Sequence, residues 1–410
     1  MDTRPIAVRT QKGYAIMHES GLYFLNEDED LSDALTTINH QRQPKLEGPK
    51  DRLAKAIIYL SSDCNLRCIY CYASSGEKHT VVNVEQAKVL IDFIAQKCDR
   101  LILDFHGGGE PLLHFDIIKE LYEYAHNTHK LYRTVLISNG VIQHDKSKIL
   151  NWIITHIDVM AISCDGDSFA QNMNRPIYGG GDSSSEVEDT IKYLAAHDYA
   201  FTVRSTITGA TVNHMLEITK YFDSLGAKYL IYAPCYNWGR SREKSLVPDT
   251  KEYGDNFIKS IEYAYKHNMR ITTNSFRYPG YHYCGALSGF NIALTTDGYI
   301  SACYEVTRND DDAGKVFIVG KIENDHVKLF PDKIANMLKM EDLGPTRCST
   351  CAYRLVCRGG CLVKKVRNSK DSLYNLCGIT RYLVPKLLDF LHEHPEASSS
   401  VLKDVDVAIH

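Results

Sequence analysis

The chain is poor in the features that mark exported or membrane-spanning proteins. No run of eighteen apolar residues appears in its 410 positions, which argues against a transmembrane helix. The opening Met1-Asp2-Thr3-Arg4-Pro5 lacks the apolar core of a signal peptide. An excess of basic charge is lacking too. A formal net charge of −4 offers no basis for a nucleic-acid surface, which needs a concentrated basic patch. Neither a membrane nor a nucleic acid is expected as a partner, and the expected location is cytoplasmic. The 44% apolar and 24% charged content is that of an ordinary globular protein, long enough for one large domain and a smaller one.

Cysteine is what the chain has in excess, at thirteen residues. Without an export signal, metal ligation accounts for them better than disulfides. Three fall in Asp63-Cys64-Asn65-Leu66-Arg67-Cys68-Ile69-Tyr70-Cys71, spaced C-x3-C-x2-C after the apolar run 56–60. Thiolates packed this closely repel one another and oxidise readily, so a metal site is the usual reason to collect them. A structural zinc site wants four protein ligands. Three in one short loop suit an iron–sulfur cluster with one iron left open. The competing reading is three unrelated core cysteines.

Around this loop the pattern is periodic. Strand-like apolar runs occur at 56–61, 100–105, 133–138, 157–163, 201–207 and 229–233. Amphipathic stretches lie between them at 83–97, 114–129, 145–156, 186–197 and 213–225, with Val84, Ala87, Ile91 and Ile94 showing the helical period. Such alternation predicts parallel strands joined by helical crossovers, with ligands bound at the strands' carboxyl ends. The Cys64–Cys71 loop sits at that end. So does Phe105-His106-Gly107-Gly108-Gly109-Glu110-Pro111, where consecutive glycines let backbone approach a ligand and Glu110 adds a carboxylate. A simple turn is the bland alternative, and His106 is either a strand-end residue or one that faces substrate.

These motifs together resemble the radical S-adenosylmethionine enzymes. The resemblance implies a partial (β/α)6 barrel over residues 51–240. It implies that Cys64, Cys68 and Cys71 hold a [4Fe-4S] cluster whose open iron binds S-adenosylmethionine, with Tyr70 beside it. Gly107, Gly108, Gly109 and Glu110 would form the family's GGE motif. Ser138 and Asn139 resemble its (S/T)NG, and Ser163 and Asp165 its S-x-D-G. Arg204 resembles the basic residue placed near the cofactor carboxylate. Arg175 either neutralises a nearby charge or, as the favoured expectation, lies at the surface; Cys98 and Cys164 are expected in the core, and Cys235 in the core or a loop near the barrel mouth.

The rest of the cysteines come later. Asp297-Gly298, flanked by alternating residues, signals a hairpin with a type I′ turn. Cys284, Cys303, Cys348, Cys351, Cys357, Cys361 and Cys377 are spaced C-x18-C, then C-x2-C-x5-C-x3-C, then C. Paired zinc sites are one physical reading. The spacing also resembles the SPASM extension of the same family, placed here at 241–385 before a tail at 386–410. That implies two auxiliary iron–sulfur clusters. One would be held by Cys348, Cys351, Cys357 and Cys377, the other by Cys284, Cys303 and Cys361. Tyr278 stands where some members have a further cysteine, so the second cluster keeps an open iron or takes His282, another side chain or a substrate thiolate.

Residues 1–50 form a separate small piece. Ile6–Arg9, Tyr14–Met17 and Leu22–Leu25 read as strands, with a helix near 31–39. It is either a peptide-docking edge or ordinary decoration. The family resemblance implies one-electron cleavage of S-adenosylmethionine, the 5′-deoxyadenosyl radical removing hydrogen from an unactivated C–H bond. It also implies a flavodoxin- or ferredoxin-type electron donor. Three functions compete. One is cross-linking of a ribosomally made precursor peptide through a thioether or carbon–carbon bond. A second is oxidation of Cys or Ser to formylglycine, as in anaerobic sulfatase-maturating enzymes. Those place an acidic residue directly after the cysteine matching Cys303, where this chain has Tyr304 and only then Glu305. The third, a non-enzymatic electron-transfer protein, leaves the Gly107–Glu110 and Ser163–Gly166 motifs without a purpose. Peptide cross-linking is the favoured expectation.

Overall fold

The structure is a computed structural model that describes residues 4–39, 53–241, 246–277, 279, 284–288, 291–342, 346–357, 359–367 and 370–397. Strands β1 (Ile6–Thr10), β2 (Gly13–His18) and β3 (Gly21–Asn26) make a small antiparallel sheet, with helix α1 (Leu31–Asn39) following. Ile16 and Leu25 pack on Ile38 of α1. The sheet also leans on the C-terminal helix Lys370–Glu393. Thr10 Oγ1 meets His392 Nδ1 at 2.6 Å, and Gln11 N–H donates to Asp389 at 2.8 Å.

The main body alternates strictly. Strands β4 (Leu53–Tyr59), β5 (Arg100–His106), β6 (Leu131–Ser138), β7 (Val159–Ser163), β8 (Phe201–Ile207) and β9 (Tyr229–Pro234) are separated by α2 (Val84–Ala95), α3 (Phe115–Thr128), α4 (Lys146–His156), α5 (Ser168–Asn174), α6 (Ser183–Ala196) and α7 (Met215–Ser224). All six strands pair in parallel in chain order. The expected α/β architecture with a central parallel sheet is present. Helix α8 (Thr250–Lys266) then leads to β10 (Arg270–Thr273), a seventh parallel strand that the residue pattern does not signal.

At the other edge the chain returns as β11 (Asn291–Leu294), parallel to β4, then β12 (Tyr299–Ser301), β13 (Ile318–Glu323) and β14 (His326–Leu329), all antiparallel. The expected hairpin between β11 and β12 exists, but its turn is not type I′. That type needs two central residues at positive φ, and of the pair only Gly298 has one, at +82°. Gly298 N–H donates to Thr295 at 3.1 Å and Thr295 N–H to Tyr299 at 2.9 Å, the pattern of a turn closed by a left-handed glycine.

Side-chain alternation along the strands sorts the core into two faces. Ala56, Ile58, Leu103 and Phe105 pack outward against Ala87, Leu90 and Ile91 of α2. Ile57, Tyr59 and Ala293 face the concave side with Tyr304, and Ile137, Ala161 and Ile231 do so across the sheet. Beneath Tyr304 lies a buried ion pair, Lys55 Nζ to Asp104 Oδ2 at 3.2 Å. No helix among the described residues is long and apolar enough to cross a membrane.

Candidate functional site

The loop that carries the first three cysteines leaves β4 and is pinned at both ends. Ser61 bridges Val81, and Val82 N–H donates to Leu60 at 2.9 Å. On its far side the segment after α5 lies alongside it. Arg67 N–H donates to Pro176 at 2.8 Å, Ile69 N–H to Asn174 at 2.9 Å, and Tyr178 N–H to Asn65 at 2.8 Å. Arg67 ties the interior together, donating to the carbonyls of Cys64 (2.7 Å), Leu66 (2.9 Å) and Gly76 (3.0 Å) while stacking on Tyr178 at 3.9 Å. Arg240, from the loop after β9, donates to the Cys68 carbonyl at 3.3 Å and to Ser75.

Each of the three sulfurs has a donor aimed at it. Leu66 N–H reaches Cys64 Sγ at 3.4 Å and Ser75 N–H reaches Cys71 Sγ at 3.5 Å. Asn139 Nδ2 stands 3.9 Å from Cys64 Sγ, and Arg175 Nη1 stands 3.9 Å from Cys68 Sγ. Burial, with the charge of Cys68 added, pushes the Cys64 thiol up to about 12. Burial likewise pushes Cys68 up to about 11, against the opposing pull of Arg175. Alone, these groups stay protonated; a bound cation ionises them. Among the described residues no trio of such side chains is drawn in around a single metal ion, so the fit rests on donor chemistry. Three soft sulfurs with N–H partners, beside a buried carboxylate, fit an iron–sulfur cluster and a ligand carrying an amino group.

The carboxylate is Glu110. The triple-glycine loop lies directly against the cysteine loop: Gly109 N–H donates to Ser61 at 2.8 Å and Glu110 N–H to Asp63 at 2.7 Å. A Cβ on Gly109 would stand 1.9 Å from the Asp63 carbonyl oxygen, so only glycine permits this approach, whereas one on Gly108 would meet Thr307 at 3.4 Å. Gly107 is similarly hemmed in by the Gly109 carbonyl. Glu110 accepts from Leu112 N–H at 3.0 Å, Ser138 Oγ at 2.7 Å and Asn139 N–H at 2.7 Å. Burial outweighs those bonds and raises its carboxyl to about 6. Asn139 also donates to Asn65 at 2.8 Å, so Ser138 and Asn139 link the Glu110 cradle to the cysteine loop.

Asp165 is wholly buried and engaged with the protein. It accepts from Arg175 Nε at 3.0 Å, Thr206 N–H at 2.9 Å and the Tyr70 hydroxyl. Of the two readings of Arg175, the favoured surface position is therefore wrong and the neutralising one fits: it is 8% exposed, between Asp165 and Cys68, over the Tyr70 ring. Its one sequence signal is position, ten residues past Asp165 across an interval the size of a short helix. Ser163 and Arg204 face each other across β7 and β8, half-buried. Cys164 and Cys235 are buried, as expected of core thiols, and Cys98 is half-buried.

On the concave side an aromatic layer joins this loop to the second cysteine set. Tyr59 donates to the Tyr304 carbonyl at 2.8 Å; His106 packs edge-on to Tyr59 and stacks on Tyr304 at 5.8 Å. Burial lowers His106, which keeps it neutral. Glu305 turns away from Tyr304, held by Arg367 Nη1 at 3.1 Å and the Tyr236 hydroxyl. A small cleft lined by Tyr59, Ser61, Ser74, Lys78, Gly108 and Thr307 lies beside this layer. Burial and then the Cys361 charge raise both Cys284 and Cys303, so those three thiols share one neighbourhood. Burial raises Cys357, to which Cys377 and Cys348 lie close enough to add, and Cys351 N–H donates to the Cys348 carbonyl at 3.2 Å. Tyr278 and His282 lie outside the described residues.

Residues 58–222 match the model of the Radical SAM superfamily. The chain carries a radical SAM domain. Over 341 residues it is 24% identical to a cysteine-type anaerobic sulfatase-maturating enzyme of Clostridium perfringens, covering 76% of this chain and 88% of that one. Among solved structures, anSMEcpe with bound AdoMet and the Cp18Cys peptide superposes with a TM-score of 0.63 at 18% identity, covering 83% of this chain and 99% of that. Streptococcus suis SuiB bound to its precursor peptide SuiA superposes with a TM-score of 0.59 at 12% identity, covering 90% and 97%. The fold of these two proteins is thus the fold of this chain.

Proposed function

We propose that this radical SAM enzyme modifies a peptide, removing hydrogen from a side chain to install an intramolecular thioether or carbon–carbon cross-link. Cys64, Cys68 and Cys71 would hold the [4Fe-4S] cluster, and Glu110 with the Gly107–Gly109 backbone would receive the amino group of S-adenosylmethionine. When bound, these groups supply one-electron chemistry that removes a hydrogen atom from an unactivated C–H bond. The protein's part is to hold the amino group at Glu110, keep the sulfurs in place and shield the reacting centre with the Tyr59, His106 and Tyr304 layer. Closing each link removes a second hydrogen as a proton and an electron. Cys284, Cys303 and Cys361, with Cys348, Cys351, Cys357 and Cys377, would hold auxiliary clusters able to take that electron. A flavodoxin- or ferredoxin-type protein would supply the first.

The observation that carries this reading is Tyr304. Where sulfatase-maturating enzymes are expected to have an acidic residue, this chain turns an aromatic ring onto His106, and the next carboxylate, Glu305, is held by Arg367 and Tyr236. Formylglycine formation is the second reading, supported by the 24% identity to the sulfatase-maturating enzyme. Co-expression with the short reading frames flanking the gene, followed by mass spectrometry, separates the two. A loss of two hydrogens per link with no aldehyde trapped by a hydrazide reagent supports cross-linking, whereas a two-hydrogen loss from a serine that yields an aldehyde overturns it. Loss of a cysteine sulfur with formation of an aldehyde overturns it in favour of formylglycine.

A further inference from the structure

Among the described residues, Arg175 is the buried cation that stands beside a sulfur of the first cysteine loop. Its guanidinium is fixed from three sides. Nε donates to Asp165 Oδ1 at 3.0 Å, the plane lies 5.3 Å from the Tyr70 ring, and Nη1 points to Cys68 Sγ at 3.9 Å. The backbone is held as firmly, with Arg175 N–H donating to Gln171 at 2.7 Å and Ser183 Oγ donating to the Arg175 carbonyl at 2.7 Å. Asp165 is anchored in turn by Thr206 N–H at 2.9 Å and the Tyr70 hydroxyl. Two other guanidinium groups lie at the loop, Arg67 on the Cys64, Leu66 and Gly76 carbonyls and Arg240 on backbone carbonyls and Glu77; neither has a hydrogen bond to a sulfur among the described residues.

We propose that Arg175 is a positioning residue that raises the reduction potential of the cluster at Cys64, Cys68 and Cys71, with Asp165 acting in the opposite sense. The inference rests on the reading of that loop as the cluster site. Reduction adds one negative charge to a thiolate-ligated cluster in a poorly screened interior. A cation hydrogen-bonded to a ligand sulfur stabilises the reduced form more than the oxidised form, and charge and hydrogen bonds at sulfur are the protein's levers on such potentials. Asp165 holds the guanidinium in place and offsets part of its field. The two substitutions therefore have opposite signs, which a role in folding alone does not produce.

The test is a redox titration with dithionite of the full-length protein reconstituted with iron and sulfide. It follows the paramagnetic signal that changes on adding S-adenosylmethionine. Arg175→Gln is expected to lower the reduced-to-oxidised ratio at a fixed potential about tenfold, equivalent to about 59 mV for a one-electron couple. Asp165→Asn is expected to raise that ratio, and Arg175→Lys, which keeps the charge, to stay within roughly threefold of wild type. Shifts of Arg175→Gln and Asp165→Asn in the same direction, or no shift in either, overturn the inference. If Arg175→Gln does not load iron, Asp165→Asn decides alone, and an unchanged or lowered ratio overturns it. A wild-type protein with no signal that responds to S-adenosylmethionine overturns the cluster assignment instead, so the two failures are distinct.

Discussion

Cys64, Cys68 and Cys71 occupy a loop stitched to the ends of several parallel strands, whereas Cys348, Cys351, Cys357 and Cys361 sit on or beside helices of four to six residues, Thr346–Ser349, Arg354–Cys357 and Leu362–Arg367. In the first region backbone bonds hold the loop: Gly109 and Glu110 N–H donate to Ser61 and Asp63, and the Asn174 and Pro176 carbonyls accept from Ile69 and Arg67. In the second, helices this short have little stability of their own. A cluster bound at these cysteines, as proposed, would supply much of their folding energy. On that proposal the fold builds the first site, and bound metal would finish the second.

The largest effect that sharpens this contrast is at Gly109. A methyl group there meets the Asp63 backbone at 1.9 Å, so Gly109→Ala should strain the mouth by roughly 3 kcal/mol. Iron bound at the first site should fall more than about tenfold, since each 1.4 kcal/mol is a factor of ten. Gly108→Ala, with its nearest neighbour at 3.4 Å, should load iron like wild type. Equal iron content in the two variants would show that the loops are not held by this contact.

Removing the metal should distinguish the regions next. In hydrogen-exchange measurements, chelation of iron is expected to cost residues 346–357 and 359–367 their protection while β5–β9 change little. Uniform loss across both regions would break the comparison.

The smallest effect concerns Glu110. Folded Glu110 keeps its proton to about pH 6, against an ordinary 4.5. The folded protein therefore binds more protons than the unfolded chain between those values, and stability falls as pH rises through that window, by about 2 kcal/mol at most. Glu110→Gln lacks this titration, so its Tm relative to wild type should improve from pH 4.5 to pH 7. A Tm difference that is the same at both ends would contradict the burial argument.

The strand ends were legible because their signals are local. The apolar runs and helical periods locate β4–β9, and C-x3-C-x2-C and Gly107–Glu110 mark two adjacent strand ends. What was not legible depends on partners distant in sequence. Strand β10 is only Arg270-Ile271-Thr272-Thr273 and owes its state to pairing with β9. The parallel pairing of β11 with β4 joins residues more than 230 positions apart, which no local pattern encodes. Arg175 reads as a surface residue until Asp165 and Cys68 are seen beside it. In the hairpin, Asp297-Gly298 announced the reversal but not the turn type, which Thr295 sets through its bonds to Gly298 and Tyr299.

The central claim is that the loop from Cys64 to Cys71 holds the cluster that cleaves S-adenosylmethionine. Reconstituted protein reduced with dithionite should convert S-adenosylmethionine to 5′-deoxyadenosine and methionine, and Cys68→Ala should form neither. Continued 5′-deoxyadenosine formation by Cys68→Ala would contradict the account.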